Sequence, residues 1–289
     1  MSHVLQASVC PSSAAVGRGV VEHDGCRLHY SVRGAGAPVL LIQGVGVHGD
    51  GWTPQVEALA PGYCCITFDN RGMGKSQPGC LAVTVEQMAN DALAVLDAAG
   101  VDEPAHVVGH SLGGCVALQL ALTRRERVKS LSLLCTFACG KHAAPMTWRM
   151  FWAGMRTRMG PKAWRRRAFL ELVMPPTCLP AIDRDALAAE LEPLFGHDLG
   201  EQPPVVSAQL KALRLFDVLP RLAELEGLPT LVVSAEHDPI APPSAARAIA
   251  HGIPGARNVE ISGASHGVPL HLPDRVNELL KEHFRDVQR

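Results

Sequence analysis

Residues 105–123 read Ala-His-Val-Val-Gly-His-Ser-Leu-Gly-Gly-Cys-Val-Ala-Leu-Gln-Leu-Ala-Leu-Thr, and no other stretch constrains the fold as much. An apolar run with strand character ends at Gly109-His110. One serine follows, and a helical pattern begins at once with Gly113-Gly114-Cys115-Val116. A strand that turns into a helix within one residue strains that residue's backbone, and the positions two before and two after it must be small to avoid the crowded chain. Gly109 and Gly113 meet that condition. Such a turn lifts the Ser111 hydroxyl clear of the sheet, and the following helix points its positive end at the same spot.

The flanking sequence repeats the strand-then-helix rhythm. Strands are expected at Gly19 to Val21, Cys26 to Val32, Val39 to Ile42, Tyr63 to Phe68, Val128 to Cys135, Thr230 to Ser234 and Ala256 to Ile261. Helices are expected near Trp52 to Leu59, from Thr84 to Ala99 with Gly100 as its stop, and from about Pro273 to Val287. Nearly all-apolar strands alternating with helices imply an α/β fold with a mostly parallel central sheet covered on both faces. The segment 141–216 breaks the rhythm. It is rich in Trp, Arg, Met and Pro and reads as helices without a strand, an insertion capping the C-terminal edge of the sheet. The expected organisation is a flexible tail over 1–18, a core over 19–140 and 217–289, and a helical cap over 141–216.

A serine hydroxyl needs a base to take its proton and a carboxylate to orient that base. In an open α/β sheet both belong on loops beyond the carboxyl ends of later strands. The strand Thr230 to Ser234 runs into Ala235-Glu236-His237-Asp238-Pro239, and the strand ending near Ile261 runs into Ser262-Gly263-Ala264-Ser265-His266. Ser111, Asp238 and His266 are therefore the expected nucleophile, orienting acid and base. Glu236 is the alternative acid, and Asp238 is alternatively a helix N-cap. In the loop Asp69-Asn70-Arg71-Gly72-Met73-Gly74-Lys75-Ser76, Asp69 and Arg71 are expected to tie the turn together by a charge-assisted hydrogen bond.

With these motifs in place, the chain resembles the α/β-hydrolase superfamily from about Val20 to Phe284. Gly109-His110-Ser111-Leu112-Gly113 matches its nucleophile elbow, and the order Ser, Asp, His matches its triad. It is most similar to small capped bacterial hydrolases of the type that includes 3-oxoadipate enol-lactonases, esterases and cofactor-free haloperoxidases. The resemblance implies an oxyanion hole made by the backbone N–H groups of Val45 and Leu112. It implies a serine hydrolase that cleaves a small carboxylic ester or lactone through an acyl-enzyme, with no metal and no organic cofactor. C–C bond hydrolysis, lyase chemistry or perhydrolysis on the same triad stay open, as does a ligand-sensing receptor that kept a hydrolase pocket. The chain departs from the family at Gln43, where His is common, and at His271, where an acidic residue is common.

Gln43, His48, His110, Trp148 and Trp152 are the candidate substrate contacts, with His110, His237 and the cap residues Trp148, Trp152, Met155 and Trp164 alternatively serving as packing. Arg149, Arg156 and Arg158 either recognise a carboxylate or form the solvent face of the cap. The expected partner is a small molecule with an apolar acyl or ring moiety. A net charge of −1 offers no field for nucleic acid or an anionic membrane, and the run Arg165-Arg166-Arg167 reads as a solvated helix face. The nine cysteines have no zinc-site spacing, and several lie in apolar runs. Together with no signal-peptide pattern in Met1 to Gly17 and no apolar run long enough for a bilayer, they point to the cytoplasm.

Overall fold

The computed structural model describes residues 17–142, 152 and 154–288. Eight strands form one sheet: β1 (Gly17–His23), β2 (Cys26–Arg33), β3 (Ala37–Ile42), β4 (Tyr63–Phe68), β5 (Ala105–His110), β6 (Val128–Leu134), β7 (Thr230–Ala235) and β8 (Arg257–Ile261). Their order is β1-β2-β4-β3-β5-β6-β7-β8. β2 runs antiparallel to β1 and β4, and every pairing from β4 to β8 is parallel. The expected tail lies mostly outside the described residues, and its last two positions, Gly17 and Arg18, already belong to β1.

Patterning explains the strand positions. The central strands β3 and β5 are buried almost throughout, as their continuous apolar runs require, whereas the edge strand β1 alternates half-buried with exposed residues. On one face lie α2 (Val85–Ala98) and α3 (Leu112–Thr123), over a core that includes Leu40, Ile66, Val107 and Leu131. On the other lie α1 (Thr53–Leu59) and the C-terminal helix Pro273–Gln288, over Leu41, Val108, Val233 and Phe284. Thr84 caps α2, its hydroxyl accepting the Gln87 N–H at 3.0 Å. Among the described residues no helix is long and apolar enough to cross a membrane.

Between β6 and β7 the described elements are helical: α4 (Lys162–Val173), α5 (Arg184–Phe195) and α6 (Val206–Leu215). α4 and α5 with their connections enclose a small core of Leu170, Met174, Leu179, Leu191, Phe195 and Leu199, while Ala212 and Leu213 of α6 join the core over the sheet. Trp164 is not part of it. This residue stands on the first turn of α4 with 62% of its surface exposed, and aliphatic and Phe side chains form the interior among the described residues.

A second difference concerns Arg71. Its partner is Asp91 on α2, not Asp69. Nε and Nη2 donate to the two carboxylate oxygens at 2.6 and 2.7 Å, and both side chains are fully buried. Asp69 instead accepts the backbone N–H groups of Gly49 and Lys75 at 2.8 and 2.9 Å. Breaking a buried pair strands a charge. Asp91→Ala is expected to lower the unfolding free energy by about 3–5 kcal/mol, read from the urea midpoint. His106 gives a second expectation. Its Nδ1 lies 2.7 Å from Ser130 Oγ and its ring stacks on Phe284. Burial, reinforced by Lys129 and His283, pushes it down from 6.5 to about 3. The unfolded chain therefore binds a proton that the folded chain refuses across that window, and this contribution to stability is lost as pH falls from about 6.5 toward 3. Between pH 7 and 4.5 the urea midpoint should drop less in His106→Phe than in the wild-type chain.

Candidate active site

The strained residue expected between β5 and α3 is present. Ser111 has φ 53° and ψ −117°. Its N–H donates to the Leu134 carbonyl at 3.0 Å, and its carbonyl accepts the Thr136 hydroxyl at 2.7 Å, so β6 and its loop hold the turn from both sides. The glycines are steric necessities. A Cβ on Gly109 would lie 2.2 Å from the Gly113 carbonyl oxygen, and one on Gly113 would lie 1.9 Å from that of Ile42. Ser111 Oγ makes no hydrogen bond to a described residue, and Ser111 and His266 line the same cavity.

Asp238 and His266 come from the loops after β7 and β8. His266 Nδ1 lies 2.7 Å from Asp238 Oδ2, and both side chains are buried. The other carboxylate oxygen accepts the N–H groups of Ile240 and Ala241 at 2.8 and 2.9 Å. The carboxylate is thus a turn-locked acceptor, and it is Pro242 that caps the following helix. With Asp238 as its partner, Nδ1 carries the proton and Nε2 keeps a lone pair. Glu236, the alternative acid, bonds Ser262 Oγ and the Gly263 N–H instead. Cys135, just past β6, lies close by: its Sγ, an Asp238 oxygen and a His266 nitrogen all fall within 4.8 Å of one another. These are the described residues whose atoms could together take a metal ion. Burial, then the Asp238 charge, push the Cys135 thiol well up, so it remains protonated.

Val45 lies in the loop after β3, and Leu112 opens α3. Neither Val45 N–H nor Leu112 N–H donates to an acceptor among the described residues, whereas the flanking Gly44 and Gly46 amides are taken, by Gln43 Oε1 at 3.2 Å and Gln209 Oε1 at 3.0 Å. Gln43 also lines the cavity, and its backbone carbonyl accepts Asn70 Nδ2 at 3.1 Å. Two bracing residues escaped the sequence reading, Gln209 and His197. His197 Nε2 lies 2.7 Å from the Gly46 carbonyl. Both come from the segment between β6 and β7, and nothing in their local sequence marks them as partners of a loop more than 150 positions away.

The cavity holds about 500 Å³ and is walled by Val45, Phe169, Met174, Phe195, Leu213 and other apolar side chains, with Met155 at its edge. His110 lines it, as expected. Its Nε2–H donates to the His266 carbonyl at 2.9 Å, and its rings and those of His266 lie 5.0 Å apart. Burial is the main cause that pushes His110 down to about 3, so it is neutral. His48 is not a wall of this cavity. Its ring is seated between Asp69, at 3.7 Å, and Gly196, which keeps it out of the cavity wall. Trp152 is likewise absent from the wall, with half of its surface facing solvent. Trp148 and Arg149 lie outside the described residues. Arg156 pairs with Glu171 at 3.1 Å, while Arg158 does line the cavity. His271, the second departure, places Nε2 3.4 Å from Cys178 Sγ, joining the loop after His266 to the inserted segment.

A family model described as alpha/beta hydrolase fold matches residues 37–270. A protein of Azorhizobium caulinodans named "Putative carbamate hydrolase RutD" is 35% identical over 255 residues, covering 88% of this chain and 93% of its own. A hydrolase structure from Pseudomonas aeruginosa superposes with a TM-score of 0.78 at 25% identity, covering 92% of this chain and 98% of its own. A thermophilic esterase from Thermogutta terrifontis superposes with a TM-score of 0.76 at 28% identity, covering 94% and 100%.

Because the Ile42 carbonyl cannot retreat without disturbing β3, Gly113→Ala is expected to cost about 1–3 kcal/mol of stability. Gly62→Ala, where an added Cβ meets nothing within 4 Å, is the control and should be close to neutral in the same urea titration.

Proposed function

The chain belongs to the alpha/beta hydrolase family, and from its site we propose that it is a serine hydrolase that cleaves a small carboxylic ester or lactone through an acyl-enzyme. The observation that carries this reading is the His266–Asp238 bond of 2.7 Å behind a cavity lined by both His266 and Ser111.

The steps follow from the geometry. As substrate closes the gap between Ser111 Oγ and His266 Nε2, the imidazole takes the hydroxyl proton and Oγ attacks the carbonyl carbon. Asp238, held by two backbone donors, keeps the ring in the required tautomer and offsets the charge of the imidazolium. The uncommitted N–H groups of Val45 and Leu112 receive the developing oxyanion, with the N-terminal end of α3 adding its positive potential. His266 returns its proton to the leaving alcohol, and water then releases the acyl group by the same steps in reverse. We assign residues 141–216 the role of a cap that gives the cavity its apolar walls, which suit an apolar acyl or ring moiety. A carbamate carbonyl is open to the same attack, and the name of the A. caulinodans relative places carbamates in the substrate panel.

The test is pre-steady-state kinetics with a 4-nitrophenyl ester, with intact-mass detection of the protein. A burst stoichiometric with enzyme and an acyl adduct on Ser111 are expected. Ser111→Ala should lower kcat by about 10⁶ and Asp238→Asn by about 10⁴. Undiminished turnover in Ser111→Ala would overturn the reading.

A further inference from the structure

The walls of the cavity carry three charged side chains, Arg158, Glu201 and Arg214. Glu201 is already neutralised by Lys162. The two arginines are not matched in this way. Arg158 donates from Nε to the neutral amide of Gln202 at 3.1 Å, and Arg214 has no ion pair among the described residues. Four other arginines of the segment are matched: Arg156 and Arg184 pair with Glu171, Arg166 with Asp198 and Arg167 with Asp185. Arg165 has no ion pair among the described residues either, but it does not line the cavity. No carboxylate side chain outside the described residues can supply the missing partner either, since residues 1–16, 143–151, 153 and 289 contain neither Asp nor Glu. Both guanidinium groups belong to exposed residues, so they stand where the cavity meets solvent.

An apolar cavity whose unmatched charges share one sign focuses a positive potential at its mouth. Resting on the serine-hydrolase reading above, we propose that the substrate is an ester or lactone carrying an anionic group, a carboxylate, separated from the scissile carbonyl by an apolar stretch. The scissile end lies at Ser111, the stretch lies against the aliphatic and Phe walls, and the carboxylate meets Arg158 or Arg214. Guanidinium suits this task because it is permanently charged and presents several donors in one plane.

The experiment compares esters of equal acyl length. For mono-4-nitrophenyl adipate, kcat/KM is expected to exceed that for 4-nitrophenyl hexanoate by about tenfold at low ionic strength, with the ratio shrinking as salt is added. The ratio should collapse toward 1 in Arg158→Gln/Arg214→Gln and survive in Arg158→Lys/Arg214→Lys. Binding to the Ser111→Ala protein supplies a readout that needs no turnover. There monomethyl adipate should bind about tenfold more tightly than methyl hexanoate, again only while the cations remain. Equal handling of the two esters, or a preference that persists in the double Gln variant, overturns the proposal. Retained binding preference with no acyl adduct on Ser111 would instead overturn the serine-hydrolase reading and leave the anion preference standing.

Discussion

The first turn of α3 sits so close to the end of β3 that a single added carbon on Gly113 would meet the Ile42 carbonyl oxygen at 1.9 Å. That approach fixes more than one residue. It holds α3 directly over the β3–β5 seam, forces Ser111 into its positive-φ conformation, and brings the start of α3 beside the loop that follows β3. Leu112 belongs to the first element and Val45 to the second, so two residues far apart in sequence are brought to the two sides of Ser111. The strain at Ser111 is sustained because the neighbours leave it no alternative, with β6 bonding its N–H and the Thr136 hydroxyl its carbonyl.

What could be read from the chain alone was what is encoded locally. The elbow announces itself in five residues. Asp238 and His266 stand out because each lies just past an apolar run, and loops at strand ends are where such groups collect. Asp238 and Glu236 lie two residues apart but leave the loop in different directions, Asp238 toward His266 and Glu236 toward Ser262 and Gly263. Long-range pairing was much less visible. Arg71 lies two residues from Asp69 in sequence but bonds Asp91 from a helix further on. Trp164 misled for a related reason. A large apolar side chain is expected inside, but Trp164 sits on a first helical turn that no described neighbour encloses, and smaller aliphatic groups fill the space.

The inserted segment is fastened to both loops that flank Ser111. Gln209 and His197 bind the backbone of Gly46, next to Val45. On the other side the Gly267 N–H donates to the Val173 carbonyl at 2.7 Å, immediately after His266. His110 adds a third tie by holding the His266 carbonyl from the strand side. The site is therefore clamped between sheet and insertion, and three of its four ties set a side chain, that of Gln209, His197 or His110, against a backbone group.

The Gly46 anchorage has an evolutionary corollary. A helix that both walls the pocket and grips the loop after β3 cannot be reshaped for a new ligand without also disturbing the surroundings of Ser111. Drift in α6 will therefore couple recognition to turnover. Drift at the outer ends of α4 and α5, which have no bond to that loop, is freer to retune one without the other. Lineages diversifying from such an ancestor would accumulate changes at the mouth first and leave the positions equivalent to Gln209 and His197 until last.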